Sequence, residues 1–171
     1  YAEILLELRR YDEAEKINLK LVALKYPSAT PFNALALIYF FRKQPQRAEE
    51  ILTKAVNTGV ADGETYYNLA EFRLNLGKRE EAFRLYDRSM EFGFGEAFYR
   101  KARLLAVMGD YKGAFQLLDR TEQQLPGRVQ TNYDRGLLLF RQNRYAEALE
   151  QFEMARKRAP EEIGLLYNIG V

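Results

Sequence analysis

Small residues recur in this sequence at a fixed distance. Ala14, Ala48, Ala82, Ala114 and Ala148 are separated by 34, 34, 32 and 34 residues, and Ala2, Ala36, Ala70, Ala102, Gly136 and Gly170 by 34, 34, 32, 34 and 34. The two series keep one register and share one two-residue shortening, so they mark a repeated unit rather than a scatter of common residues. A unit this short cannot enclose a core of its own. It hides its apolar face by stacking on the next copy, which sets aside most folds built around one compact core.

Each unit reads as helix, short turn, helix. In the fifth, Asn132 to Gln142 and Ala146 to Arg158 are helix-length stretches with Leu138, Leu139, Leu149, Phe152 and Ala155 at helical spacing, and Gln142-Asn143-Arg144-Tyr145 lies between them. Pro160 closes the second helix because it cannot continue one. Leu125-Pro126-Gly127 and Tyr26-Pro27-Ser28 read as stops of the same kind. Gly59-Val60 and Gly93-Phe94 read as left-handed caps followed by a hydrophobe that packs back.

With these features in place the chain resembles the tetratricopeptide repeat (TPR) family over essentially its whole length. The fifth unit carries the likeness best, with Gly136, Tyr145, Ala148, Phe152, Ala155 and Pro160 at the small, aromatic and proline positions. Ala102, Gly109, Asp110, Tyr111, Ala114 and Pro126 follow in the fourth, and Leu69, Ala70, Gly77, Ala82 and Tyr86 in the third. Pro45 and Arg79 depart from the aromatic of Tyr11, Tyr111 and Tyr145, and Ser89 and Thr121 from the late alanine. The resemblance implies an all-α fold, an α-solenoid wound as a right-handed superhelix of stacked antiparallel helix pairs, with about five units and the first helix of a sixth. The expected units are 1–28 (partial), 29–62, 63–94, 95–128, 129–162 and 163–171 (partial), together a single array. Tyr1 enters partway along a helix and Tyr167 to Val171 opens a further unit, so the expectation is a section of a longer protein.

In such an array the first helices line a concave groove. The register places Asn33, Ala34, Leu37, Phe40 and Phe41 there, then Tyr67, Asn68, Glu71 and Asn75, then Tyr99, Arg100, Arg103 and Val107, then Tyr133, Asp134, Leu137 and Arg141, and finally Tyr167 and Asn168. Tyr67, Tyr99, Tyr133 and Tyr167 form a ladder of rings suited to an extended peptide, or else the family's ordinary consensus. Arg100, Arg103 and Arg141 could receive an acidic side chain or a C-terminal carboxylate, or else Glu71 and Asp134, which flank them, absorb those charges in surface salt bridges. The family's carboxylate clamp is disfavoured: Asn68 and Arg100 match it, but Asn33, Leu37 and Glu96 do not. Arg73, Lys101 and Arg135 interrupt the apolar pattern and are expected to lay their stems along apolar surface with the charge in water.

Composition removes much of the alternative chemistry. With no Cys and no His, the usual ligands of zinc, copper, haem and iron-sulfur centres are missing, as are thiol nucleophiles and a Ser-His-Asp relay. Glu49-Glu50, Glu80-Glu81 and Glu161-Glu162 are neighbours on a helix and diverge by about 100°. Gly93-Phe94-Gly95 follows no strand and reads as a turn, not a phosphate loop. Lys+Arg 26 against Asp+Glu 24 gives no basic surplus for nucleic acid, and no apolar run reaches the ~20 residues of a membrane span. No cofactor or metal is expected, and cytoplasm and periplasm fit equally.

The expected function is a non-catalytic protein-protein interaction scaffold that binds a peptide or partner protein in the concave groove, as part of a bacterial assembly, secretion or export system. The alternatives are an interaction or regulatory segment of a larger enzyme and, ranked lower, an RNA-binding helical repeat. Self-association through exposed array ends is a further expectation.

Overall fold

The structure is a computed structural model that describes residues 10–158. Among the described residues there are nine α-helices and no strand. The chain divides into two compact units, 1–94 and 95–171.

The first unit contains α1 (Tyr11–Ala23), α2 (Thr30–Phe41), α3 (Pro45–Asn57), α4 (Gly63–Asn75) and α5 (Arg79–Glu91). Each helix packs on the next, and α2 also touches α4 across the intervening α3. Its core gathers Leu35, Ala36 and Tyr39 of α2, Ala48 and Leu52 of α3, and Leu69 of α4. The second unit contains α6 (Gly95–Val107), α7 (Tyr111–Gln124), α8 (Val129–Arg141) and α9 (Tyr145–Arg158). Here too neighbours pack in order, and α6 reaches α8. Within each unit helical hairpins therefore stack first helix beside first helix, the arrangement of an all-α solenoid.

The recurrent small residues explain why the hairpins close so tightly. Ala14, Ala48, Ala82, Ala114 and Ala148 are all 0–1% exposed. At Gly136 an added Cβ would stand 2.5 Å from the Phe152 ring, so a methyl group there would force the α8–α9 pair apart. Where a unit departs from the small-residue pattern, the extra polar atom is satisfied locally. Buried Ser89 of α5 donates to the Gly63 carbonyl at 2.7 Å, and buried Thr121 donates to the Leu117 carbonyl one turn back at 2.8 Å.

Hairpin turns are closed by a left-handed residue two positions beyond the helix. Gly77 and Gly109 adopt φ of 75° and 85°, and a methyl group at either would meet nothing within 4 Å, so glycine is used for backbone conformation and not for space. Lys43 and Asn143 hold the same conformation at φ 58° and 61°. Gly59 and Gly93 cap as expected, and Phe94 packs back with its ring 5.2 Å from that of Tyr67. The stop at Pro27 is different from the expectation. α1 has already ended at Ala23, closed by Lys25 at φ 53° and by the Tyr26 amide donating to the Leu21 carbonyl, so Pro27 follows a finished cap.

Helix limits in the fifth hairpin also shift. The first helix starts at Val129 rather than Asn132 and ends at Arg141, and Tyr145 begins the second helix rather than ending the turn. Gly95 likewise opens α6 and is not part of the preceding turn. Leu149, expected on the apolar face, is exposed. Pro160, Tyr167 and Asn168 lie outside the described residues.

Candidate functional site

In the first unit, α2 and α4 lie side by side with an open groove of about 520 Å³ between them. Its lining includes Asn33, Ala34, Leu37 and Phe40 from α2 and Glu64, Asn68, Glu71, Phe72 and Asn75 from α4. Thus Asn33, Leu37, Asn68 and Glu71, all expected in the groove, are brought to one place. Leu37 is 44% and Phe40 55% exposed, although Leu35 and Ile38 on the same helix are buried. The helical period of 3.6 residues explains the split: Leu37 and Phe40 share a face that Leu35 and Ile38 do not. The Phe40 ring meets that of Phe72 edge-on at 6.2 Å, which ties the apolar floor of one helix to that of the other.

The polar wall is less free than its sequence suggests. Asn33 is only 8% exposed. Its amide donates to Asp62 at 3.2 Å and to Glu64 at 3.4 Å, while its oxygen accepts from the Thr65 hydroxyl at 2.9 Å. Asp62 in turn accepts the Thr65 backbone N–H at 2.8 Å, completing a capping box at the start of α4. Asn33 therefore fixes the groove wall instead of offering itself to a ligand. Glu71 accepts from the hydroxyl of Tyr86, a residue wholly buried in α5. Asn68 is half-buried and Asn75 exposed at the rim. Phe41, expected in the groove, stacks on Tyr11 of α1 at 5.7 Å and does not line it.

The tyrosine ladder is packed into the hairpins. Tyr67 sits 6.1 Å from Tyr86 and 5.2 Å from Phe94, Tyr133 sits 5.5 Å from Phe152, and the Arg128 guanidinium lies 5.8 Å over Tyr99. All three rings are half-buried. Burial first, and the charge of Glu96 second, raise the Tyr99 hydroxyl above its ordinary pKa.

In the second unit Arg100 is half-buried on α6, while Arg103 on α6 and Arg141 on α8 are exposed, and Leu137 is half-buried on α8. Asp134 does not flank these cations in a surface salt bridge. It is 2% exposed, and neither carboxylate oxygen has a hydrogen-bond partner among the described residues. Burial drives its pKa up to about 6 against the pull of Arg103 and Arg100. Arg73 and Arg135 also differ from expectation. Arg73 pairs with Glu49 of α3 at 2.8 Å and Glu81 of α5 at 3.3 Å, and Arg135 pairs with Asp119 of α7 at 2.5 Å. A single sequence carries no signal for these partners, because each lies on a neighbouring helix. Glu96, likewise, is engaged by Arg128 at 2.9 Å.

Among the described residues no cluster of His, Cys, Asp or Glu could hold a metal ion, and no helix is long and apolar enough to cross a membrane.

Comparison with known proteins agrees with this architecture. The crystal structure of MamA superposes with a TM-score of 0.76 at 19% identity, covering 96% of this chain and 97% of that one. YrrB, described as a TPR protein with an unusual peptide-binding site, gives 0.71 at 21% identity over 99% of this chain and 89% of its own. PilF of Pseudomonas aeruginosa gives 0.79 at 15% identity over 92% and 73%. No curated protein matches the sequence. Tetratricopeptide repeat profiles match residues 63–92 and 99–163, together more than half of the sequence. By its repeat, its stacked hairpins and these matches, the chain belongs to the tetratricopeptide repeat family.

Proposed function

We propose that the chain is a protein-protein interaction scaffold and that the α2–α4 groove is where a partner peptide docks. The observation that carries the reading is the exposed pair Leu37 and Phe40 in a groove of about 520 Å³ whose rim supplies amides and carboxylates. Large apolar side chains held in water at the floor of a concavity release free energy when covered, at roughly 25 cal/mol per Å². Asn68 and Asn75 can donate to and accept from the main chain of an extended segment, so one occupant satisfies both parts of the wall. The wall is already rigid, because Asn33, Asp62 and Thr65 hold α2 and α4 together, and a preorganised surface loses less entropy on binding. Resemblance in fold to YrrB, a TPR protein with a peptide-binding site, is consistent with this use.

The test is a random-peptide display selection on the 171-residue chain, with retained peptides remeasured on Leu37→Glu. Leu37 reaches solvent, so the substitution leaves the fold in place, which circular dichroism checks. The expected result is a loss of affinity of about tenfold or more, since a carboxylate replaces an apolar contact. Peptides that bind the variant unchanged place the docking surface elsewhere.

A further inference from the structure

The two sides of the groove are unlike. α2, with the sequence TPFNALALIYFF, has no charged residue at all, and beyond its first turn it adds only apolar side chains to the lining, Leu37 and Phe40 among them. α4 adds Glu64, Asn68, Glu71 and Asn75, which are spaced at three or four residues and so fall on one face of the helix. Phe72, the one apolar side chain that α4 adds among the described residues, meets Phe40 edge-on at 6.2 Å and continues the apolar side at that end.

Length and volume decide what shape of chain fits. From Glu64 to Asn75 the lining follows α4 for about 17 Å, the reach of about five extended residues. At that length an extended segment fills roughly 800 Å³ and an α-helix roughly 1,300 Å³. A groove of about 520 Å³ therefore houses most of the former and less than half of the latter. An extended chain also matches the unlike sides, because its successive side chains point in opposite directions.

We infer that the groove takes about five residues of extended chain laid along the two helices, apolar and uncharged at alternate positions and polar at those between. This rests on the peptide-docking reading above. The alternate set lies against α2 and covers Leu37 and Phe40. A charge there would lose its water against a helix that offers no counter-charge. The intervening set lies against α4, where the amides of Asn68 and Asn75 can donate and accept. Asn68 already bonds Glu64, which orients it for a second contact. An apolar side chain on this side would strip the amides of water without replacing their hydrogen bonds.

The experiment is a serine scan of the best peptides selected on the 171-residue chain, joined to measurements on Leu37→Glu and Asn75→Leu. Asn75 is exposed at the rim, so leucine there carries apolar surface onto the α4 side without disturbing the wall. The expected result of the scan is a loss of about tenfold or more at alternate positions and less than about threefold at those between. On Asn75→Leu, a peptide remade with leucine at one intervening position should gain about fivefold over its affinity for the parent chain. Losses three or four residues apart, as a helical occupant would give, or losses at consecutive positions overturn this inference and leave the docking site standing wherever Leu37→Glu removes binding. The absence of any gain on Asn75→Leu does the same. Peptides indifferent to Leu37→Glu, or no retained peptide, overturn both.

Discussion

The starts of α4 and α8 occupy the same place in the repeat, one in each unit, and they are built in opposite ways. At α4, Asp62 caps the helix by accepting the Thr65 backbone N–H, the Thr65 hydroxyl donates to Asn33, and Asn33 stands on the preceding first helix to complete the set. At α8 the register puts Arg128 at the cap, where its side chain makes no capping bond, and Tyr99 where α2 has Asn33. Thr131, the counterpart of Thr65, is 1% exposed and its hydroxyl has no partner among the described residues. Asp134 lies one turn further on, buried and unpartnered as well. The same threonine is thus part of a closed network in one unit and an unsatisfied group in the other. The deciding residues are its neighbours: an amide and a carboxylate supply what a ring and a guanidinium cannot.

Removing the network should show the largest effect. Asp62→Ala deletes a cap and strands Thr65 and Asn33, and is expected to cost about 2–4 kcal/mol by urea unfolding followed by circular dichroism. A loss below about 1 kcal/mol would put the rigidity of the groove wall elsewhere.

Second in size is Asp134→Asn, with the opposite sign. Burial raises the folded pKa of Asp134 to about 6 from an ordinary 3.8, so the folded state binds the extra proton between those values. Stability from this group is therefore fully present below about pH 4, declines as pH rises to about 6 and stays low above that. Asparagine removes the decline. The variant should match the parent near about pH 4 and exceed it by about 2 kcal/mol at about pH 7.5. Parallel pH profiles for the two proteins would mean that Asp134 is not buried in its charged form.

The smallest effect is expected from Arg128→Asn, which gives α8 a capping side chain and removes the pair with Glu96. Gain and loss are each within about 1 kcal/mol, so the total hardly moves. Amide hydrogen exchange at Thr131 is the sharper readout, and it should slow by several-fold. Unchanged exchange would show that Arg128 already serves this end.

Periodicity carried most of the fold into view. Ala48 and Ala82 could be placed at buried contacts because spacing alone marks the face of a helix that must bury, and the alternatives at those positions are sterically closed. The lining of the α2–α4 groove was legible only in outline. Leu37, Asn68 and Glu71 reach the groove, as their register requires, but register cannot say which polar atom is already in use. Asn33 reads like a free amide until Asp62 and Thr65, some thirty residues away, are brought beside it. Asp62-Gly63-Glu64-Thr65 did carry a local capping signal, a short acid three residues ahead of a hydroxyl. Lys25 carried none, because lysine has no intrinsic taste for the left-handed backbone it adopts there.

The uncharged character of α2 has a bearing on how the protein behaves when alone. Twelve residues without a single charge hold Leu37, Phe40 and Phe41 against solvent. Ionic strength cannot screen what is not ionic, so a salt excluded from protein surfaces, such as sulfate, strengthens the stickiness of this helix where it would weaken that of a charged one. Handling without such salts is expected to keep the solution clear, which light scattering checks.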